Sequence, residues 1–278
     1  MAYLRFAALP LVLAASVCAG VALALAPAGL RAGVRLRLAS LLCKLGCRVL
    51  GLRVRTLGPI PLERPAMLIS NHISWTDVLA FGSVAPVCFV ARHDLADWPI
   101  LGLLSRLFGT IFVERRRLRQ IPQVNAEMAA RMAAGDLVAL FPEATTGDGT
   151  RLKPFHAVHL AAARDLLRER PEQNRVLIAP AAIVYGRRRG LPLGRNGRSE
   201  VAWYGDSDFV PHLVDLIRDG GAECTISFRP TFEFRSGDDR KAATRRARAT
   251  ISGEFSRLVC GVPSETPRPY VQSSLQGV

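Results

Sequence analysis

The chain has 278 residues, 49% of them hydrophobic, a mean hydropathy of +0.18, a formal net charge of +14 and an isoelectric point near 10.6. That length allows a sizeable core, as one large domain or two small ones. Basicity combined with apolarity points to an anionic membrane surface and away from nucleic acid as partner. No phosphate-binding glycine loop and no paired-cysteine zinc spacing occur, which argues against nucleotide hydrolysis and a zinc module.

Residues 1–52 read as a membrane-associated segment. Phe6 to Leu30 is a nearly uncharged run of Ala, Leu and Val, and a helix of that length reaches about 38 Å, enough to cross a bilayer with tilt. Arg5 precedes it, and Arg31, Arg35, Arg37, Lys44 and Arg48 follow it. The positive-inside rule then places the rest of the chain on the cytoplasmic side of the membrane. A cleaved signal peptide is the competing reading, with Ala24-Leu25-Ala26 or Ala26-Pro27-Ala28 as the cut site. Val34 to Leu52 is predicted as a second helix, with Val34, Leu38, Leu41, Leu42, Leu45, Val49 and Leu52 on one face. Flanking Arg and Lys stems can snorkel to phosphate level, so this helix is expected to lie in the interface.

From Arg53 to about residue 260 the pattern alternates between strands and helices. Strand-like runs are Ala66–Ile69, Val87–Ala91, Thr110–Val113, Leu137–Phe141, Val176–Ile183 and Cys224–Phe228, with helical stretches at Ile121–Ala134 and His156–Arg170. The expected fold is a single α/β domain with a central, mostly parallel sheet flanked by helices. Pro180 suggests an edge or site-lining strand, Arg187–Arg198 a Gly/Arg-rich loop, and Asp239–Arg257 a basic helix. Residues 261–278 read as a polar, disordered tail. Six scattered cysteines read as free, mostly buried thiols in a reducing compartment.

Four segments can carry chemistry. The first is Asn71-His72-Ile73-Ser74-Trp75-Thr76-Asp77. Histidine exchanges protons near neutral pH, and a carboxylate on one ring nitrogen leaves the other as a base. Across one continuous helix His72 and Asp77 would stand about 140° apart. They can meet if His72 lies in the turn before a helix and Asp77 inside it, with Asn71, Ser74 or Thr76 as the cap. By itself the spacing is common, and a turn histidine is the plainer reading. The second segment, Gly109 to Arg115, ends in the basic cluster Arg115, Arg116, Arg117 and Arg119, where an arginine can fork onto an anion. The third is Phe141-Pro142-Glu143-Ala144-Thr145-Thr146-Gly147, a strand feeding a turn that can hold substrate. The fourth is Ala179-Pro180-Ala181. His156-x-x-His159 lacks a supporting acidic or cysteine ligand, so no metal is expected.

In this order the four segments resemble the glycerolipid acyltransferase superfamily, which includes the 1-acylglycerol-3-phosphate acyltransferases. The family pattern is N-H-x-S-x-x-D, G-x-x-F-(I/V)-x-R, F-P-E-G-T-R-S and a V-P-V-like strand. Asn71, His72, Ser74 and Asp77 match the first; Gly109, Phe112, Val113 and Arg115 the second; Phe141, Pro142, Glu143 and Thr145 the third. Arg92-His93-Asp94-Leu95 with Trp98-Pro99 and Gly102 looks like a fifth, conservatively changed family segment. The resemblance implies an O-acyltransferase without cofactor, taking its acyl group from an acyl carrier protein or CoA thioester and giving it to a lysolipid hydroxyl. It implies His72 as base, Asp77 as its orienting group, Arg115, Glu143 and Thr145 around the acceptor head group, and Asn71, Ser74 and Thr146 as further substrate-binding residues.

One departure bears on the acceptor. The family's arginine after the threonine is Thr146 here, and losing that cation weakens a phosphomonoester site. The variant resembles members that acylate other lysolipids, including bacterial lyso-ornithine lipid acyltransferases. Arg115, Arg116 or Arg151 could replace the cation, which leaves lyso-ornithine lipid and lysophosphatidate both open. A thioesterase using the same base and a non-enzymatic basic membrane binder are the remaining readings.

Overall fold

The computed structural model describes residues 2–114 and 118–261, without the side chains of 28–32 and 118. Two helices open the chain, α1 (Ala2–Leu25) and α2 (Ala28–Leu50). The break comes at Ala26-Pro27, earlier than the expected gap between residues 30 and 34. Pro27 holds ψ at 145°, and the residue before a proline is pushed out of helical geometry. α1 has 24 residues and a mean hydropathy of 2.3 over its apolar window, enough to cross a membrane by length and composition. It packs along α2. The stripe expected to face outward on α2 does so in part: Val34 and Leu41 are exposed, Leu38, Leu42, Leu45 and Val49 are half-buried, and Leu52, past the helix end, is buried.

The α/β part starts with β1 (Arg53–Leu57), β2 (Ala66–Ser70), α3 (Thr76–Val84) and β3 (Val87–Arg92). Then come α4 (Leu101–Leu107), β4 (Ile111–Val113), α5 (Ile121–Ala133), β5 (Leu137–Leu140) and α6 (Ala161–Glu169). The long β6 (Val176–Arg188) leads to β7 (Leu191–Pro192), α7 (Arg195–Arg198) and α8 (Phe209–Arg218). β8 (Ala222–Phe228), β9 (Phe232–Phe234) and α9 (Arg240–Val259) finish the fold. The sheet runs β1-β8-β6-β2-β5-β3-β4, with β7 and β9 also pairing on β6. Every neighbour along that path is parallel except β8 against β6. β2 and β5 are buried at every residue, as continuous apolar runs in a parallel sheet require.

Several expectations are corrected. β6 is interior, and Pro180 is tolerated because it falls where β8 gives way to β9. β9 pairs with residues 176–178 and β8 from Ala181 onward, and the Pro180 carbonyl accepts from Arg229 N. The expected loop at 187–198 holds the end of β6 and a tight hairpin, with Arg189 and Gly190 at φ 54° and 78°, the left-handed pair of a two-residue turn. The helix expected from His156 starts at Ala161, because His156 N is drawn to the Pro142 carbonyl. β1 was missed: its Arg53 and Arg55 break the apolar signal of a strand lying at the sheet edge. The expected tail from 262 onward lies outside the described residues.

α2 ends on Gly51, at φ 71°, with its N–H on the Arg48 and Cys47 carbonyls. A Cβ there would come within 2.5 Å of the Gly220 carbonyl oxygen and 2.6 Å of Arg5 Nη1. Gly51→Ala is therefore expected to cost about 2 kcal/mol or more, combining left-handed strain with the clash. A thermal melt in detergent reads this as a lowered Tm.

Candidate active site

The site is built where the parallel strands β2 and β5 end, the usual place for ligands in open α/β sheets. After Ser70 the chain leaves β2 through Asn71. Its side chain donates to the Ile183 carbonyl at 2.9 Å and accepts from Ile183 N at 2.9 Å. Asn71 thus imitates a strand neighbour of β6 and pins the start of the loop. His72 follows in the turn and Asp77 lies in the first turn of α3, the arrangement their spacing requires.

His72 Nδ1 and Asp77 Oδ2 are 2.8 Å apart. Asp77 is fully buried, and the His72 side chain keeps 18% of its surface exposed. The buried carboxylate is satisfied by further donors. Ile73 N and Ser74 N donate to Oδ2 at 2.6 and 3.0 Å, and the Tyr185 hydroxyl donates to Oδ1 at 2.7 Å. Thr76 Oγ1 lies 2.6 Å from the Tyr185 oxygen and completes the chain. Burial, and then the Asp77 charge, push the Tyr185 pKa well above its ordinary value, so the phenol stays a donor. The expected cap is corrected: α3 starts without a side-chain cap on its N-cap residue, Trp75. The Asp77 carboxylate takes the loop N–H groups instead. With the proton on Nδ1 facing Asp77, Nε2 is left as a base.

The Phe141 ring stacks on the imidazole, with centroids 4.2 Å apart and planes 11° from parallel. Gly147 N donates to the His72 carbonyl at 2.8 Å, closing the 141–147 turn onto the His72 loop. Glu143 is 4% exposed, and its Oε1 has no partner among the described residues. Its pKa is raised to about 8, first by burial; the Asp77 charge adds to the rise, while the Lys153 and His72 backbone N–H groups oppose it. Burial thus favours the protonated form of Glu143, which can donate a hydrogen bond. Ala144 stands at φ 62°, a position where the family pattern has glycine and alanine is strained.

The remaining predicted residues divide. Ser74 is fully buried, its Oγ unpartnered among the described residues. Thr145 is exposed and Thr146 buried. Arg115 and Arg116 lie outside the described residues, and Arg151 is exposed. Lys153, which the sequence reading passed over, places Nζ 2.7 Å from the Thr146 carbonyl oxygen. Tyr185 was also missed; its signal was a lone tyrosine closing an aliphatic strand. His159 is held by Asn125 at 3.0 Å.

A family model described as Acyltransferase matches residues 51–184. A lyso-ornithine lipid O-acyltransferase of Rhizobium meliloti (strain 1021) is 40% identical over 202 residues, covering 73% of this chain and 69% of the relative. This chain belongs to the acyltransferase family. A second such relative, from Brucella abortus (strain 2308), is 36% identical over 216 residues, covering 78% and 80%. The crystal structure of PlsC, the 1-acyl-sn-glycerophosphate acyltransferase of Thermotoga maritima, superposes with a TM-score of 0.64. It is 16% identical and covers 93% of this chain and 98% of that one, so the acyltransferase fold is shared across the whole architecture.

The raised Glu143 pKa has a sign. The folded acyltransferase keeps a proton that the unfolded chain releases above the ordinary value of 4.5. Stability therefore falls as pH climbs from that value to the folded one. Melts from about pH 5 to about pH 8 should show a declining Tm for wild type and a flatter profile for Glu143→Gln. Parallel profiles would show that Glu143 is not buried in its protonated form.

Proposed function

We propose that this acyltransferase moves a fatty acyl group from an acyl carrier protein or CoA thioester to the free hydroxyl of a lyso-ornithine lipid. The observation that carries the acceptor is the pair of relatives bearing that name, matched over most of their lengths. Thr146, standing where phosphatidate-forming members of the family carry arginine, supports the same choice. His72 Nε2 takes the acceptor hydroxyl proton while Asp77 holds the imidazole. The alkoxide attacks the thioester carbonyl and forms a tetrahedral intermediate. Its collapse makes the ester and expels the thiolate, which recovers the proton from His72. General-base help of this kind supplies about 10²–10⁴ in rate.

Glu143, as a neutral acid, and Thr145 hold the acceptor head group, together with Arg115. The work is done at the cytoplasmic face of the inner membrane, with α1 and the outer stripe of α2 in the lipid. The exposed Tyr3, Leu4, Leu11 and Leu41 support that seating, and the net charge of +14 suits both an anionic lipid surface and an anionic donor.

Purified membranes supplied with labelled acyl carrier protein thioester and equimolar lyso-ornithine lipid and lysophosphatidate test this. Ornithine lipid is the expected product, and His72→Ala is expected to lower its formation at least about a hundredfold without unfolding the protein. Phosphatidic acid as the dominant product would overturn the acceptor. Thiol release without an acceptor would mark a thioesterase, and a folded His72→Ala variant of normal activity would remove the base.

Thr146→Arg is expected to move the ratio of kcat/KM values toward lysophosphatidate, because it restores a cation for a phosphomonoester. An unchanged ratio would take Thr146 out of the specificity argument.

A further inference from the structure

A second hydrogen-bonded circuit, separate from the one through Asp77 and Tyr185, holds the His72 loop. Trp75, midway between His72 and Asp77, donates its indole N–H to His212 Nδ1 at 3.1 Å. His212 lies on α8, and its Nε2 faces the Val201 carbonyl oxygen at 3.2 Å. Two residues after Val201, Trp203 N donates to the Ile73 carbonyl at 3.0 Å. The circuit therefore closes on the loop at two places, the backbone of Ile73 and the side chain of Trp75. Val201 and Ala202 are 1% and 3% exposed, so the anchoring segment is itself fixed in the core.

The surroundings fix the imidazole's state. The donor on Trp75 requires a lone pair on Nδ1, and the Val201 carbonyl requires a proton on Nε2. Burial lowers the His212 pKa; the Val201 carbonyl and Asp215 oppose that, and Arg188 reinforces it. The neutral ring that results is the one form that serves both partners. Aromatic contacts add rigidity. Phe209, one turn before His212, meets the Trp75 and Trp98 rings edge-on at 5.0 Å each, and Trp98 meets Trp203 at 6.5 Å. α8 in turn packs against α1.

We infer that His212 is a positioning residue for acyl transfer: through Trp75 it holds the His72–Asp77 segment in the geometry that lets Nε2 reach the acceptor hydroxyl. The inference rests on the proposed role of His72. Its physical basis is the steep dependence of a positioned base on geometry, where a displacement of about 1 Å costs up to about a hundredfold. Asp77, Tyr185 and Asn71 hold the loop from the sheet side. His212 on α8 and Trp203, in the segment before it, hold the loop at the Trp75 side chain and the Ile73 backbone.

Steady-state kinetics of the full chain in lipid–detergent micelles test this, with wild type, His212→Leu, His212→Gln, Trp75→Phe and the Trp75→Phe/His212→Leu pair, each normalised to folded protein. His212→Leu and Trp75→Phe are each expected to lower kcat about tenfold, with KM for donor and acceptor within about twofold. Trp75→Phe keeps the aromatic packing and loses the N–H, so it separates the hydrogen bond from folding. His212→Gln, which can accept from Trp75 and donate to Val201, is expected to recover to within about threefold of wild type. The double variant is expected to be no slower than the slower single one, since both remove one interaction. A His212→Leu enzyme with wild-type kcat, a loss confined to Tm, a failure of glutamine to rescue, or losses that multiply in the double variant would each overturn the inference. His72→Ala, run alongside, keeps the two readings apart. If it is active, the proposed base fails. If it is inactive while His212→Leu is normal, the positioning role alone fails.

Discussion

The buried charge of Asp77 is the constraint on which the site depends. A carboxylate removed from water is tolerated only with enough donors. Here the donors come from the imidazole, two loop amides and the Tyr185 hydroxyl. Those donors belong to the loop and to β6. Satisfying one charge therefore fixes the helix start, the imidazole tautomer and the distance between the loop and the sheet at once. Removing a single donor would leave a charge in a place where water cannot replace it.

The neighbouring Glu143 follows the opposite logic. It is nearly as buried, but its donors do not offset that burial, which raises its pKa to about 8 and favours the protonated form. Two carboxyl groups close together in one site are thereby separated into an anion that orients a base and a neutral acid that can donate. Such divergence of paired groups is how an enzyme site runs base and donor chemistry at one pH. Lys153 lies beside this acid, with its Nζ on the carbonyl oxygen of Thr146, the residue that is arginine in the family pattern.

The helices set the site against its surroundings. α1 and α2 pack together, α2 packs on α3, and α1 also reaches α4 and α8. α3 carries Asp77, and α8 carries His212. The elements richest in exposed apolar surface are thus one packing layer from the loop that bears His72. That closeness suits a reaction whose acceptor and product are lipids.

The sequence by itself determined the parts that rest on local patterns. The apolar runs of β2 and β5 were legible because strands inside a parallel sheet are buried on both faces. The pairing of His72 with Asp77 was legible because helix geometry leaves one way for them to meet. Only the tertiary structure decided what long-range contacts supply. Tyr185 is 108 residues from Asp77 and His212 is 137 from Trp75, and no periodicity links residues so far apart. The short α6, the interior Pro180 and the uncapped α3 each reflect a bond from elsewhere that local preference cannot foresee: the Pro142 carbonyl, the handover from β8 to β9, and the Asp77 carboxylate. Side-chain chemistry at short range is written in the chain, whereas partners and burial are set by the fold that brings distant segments together.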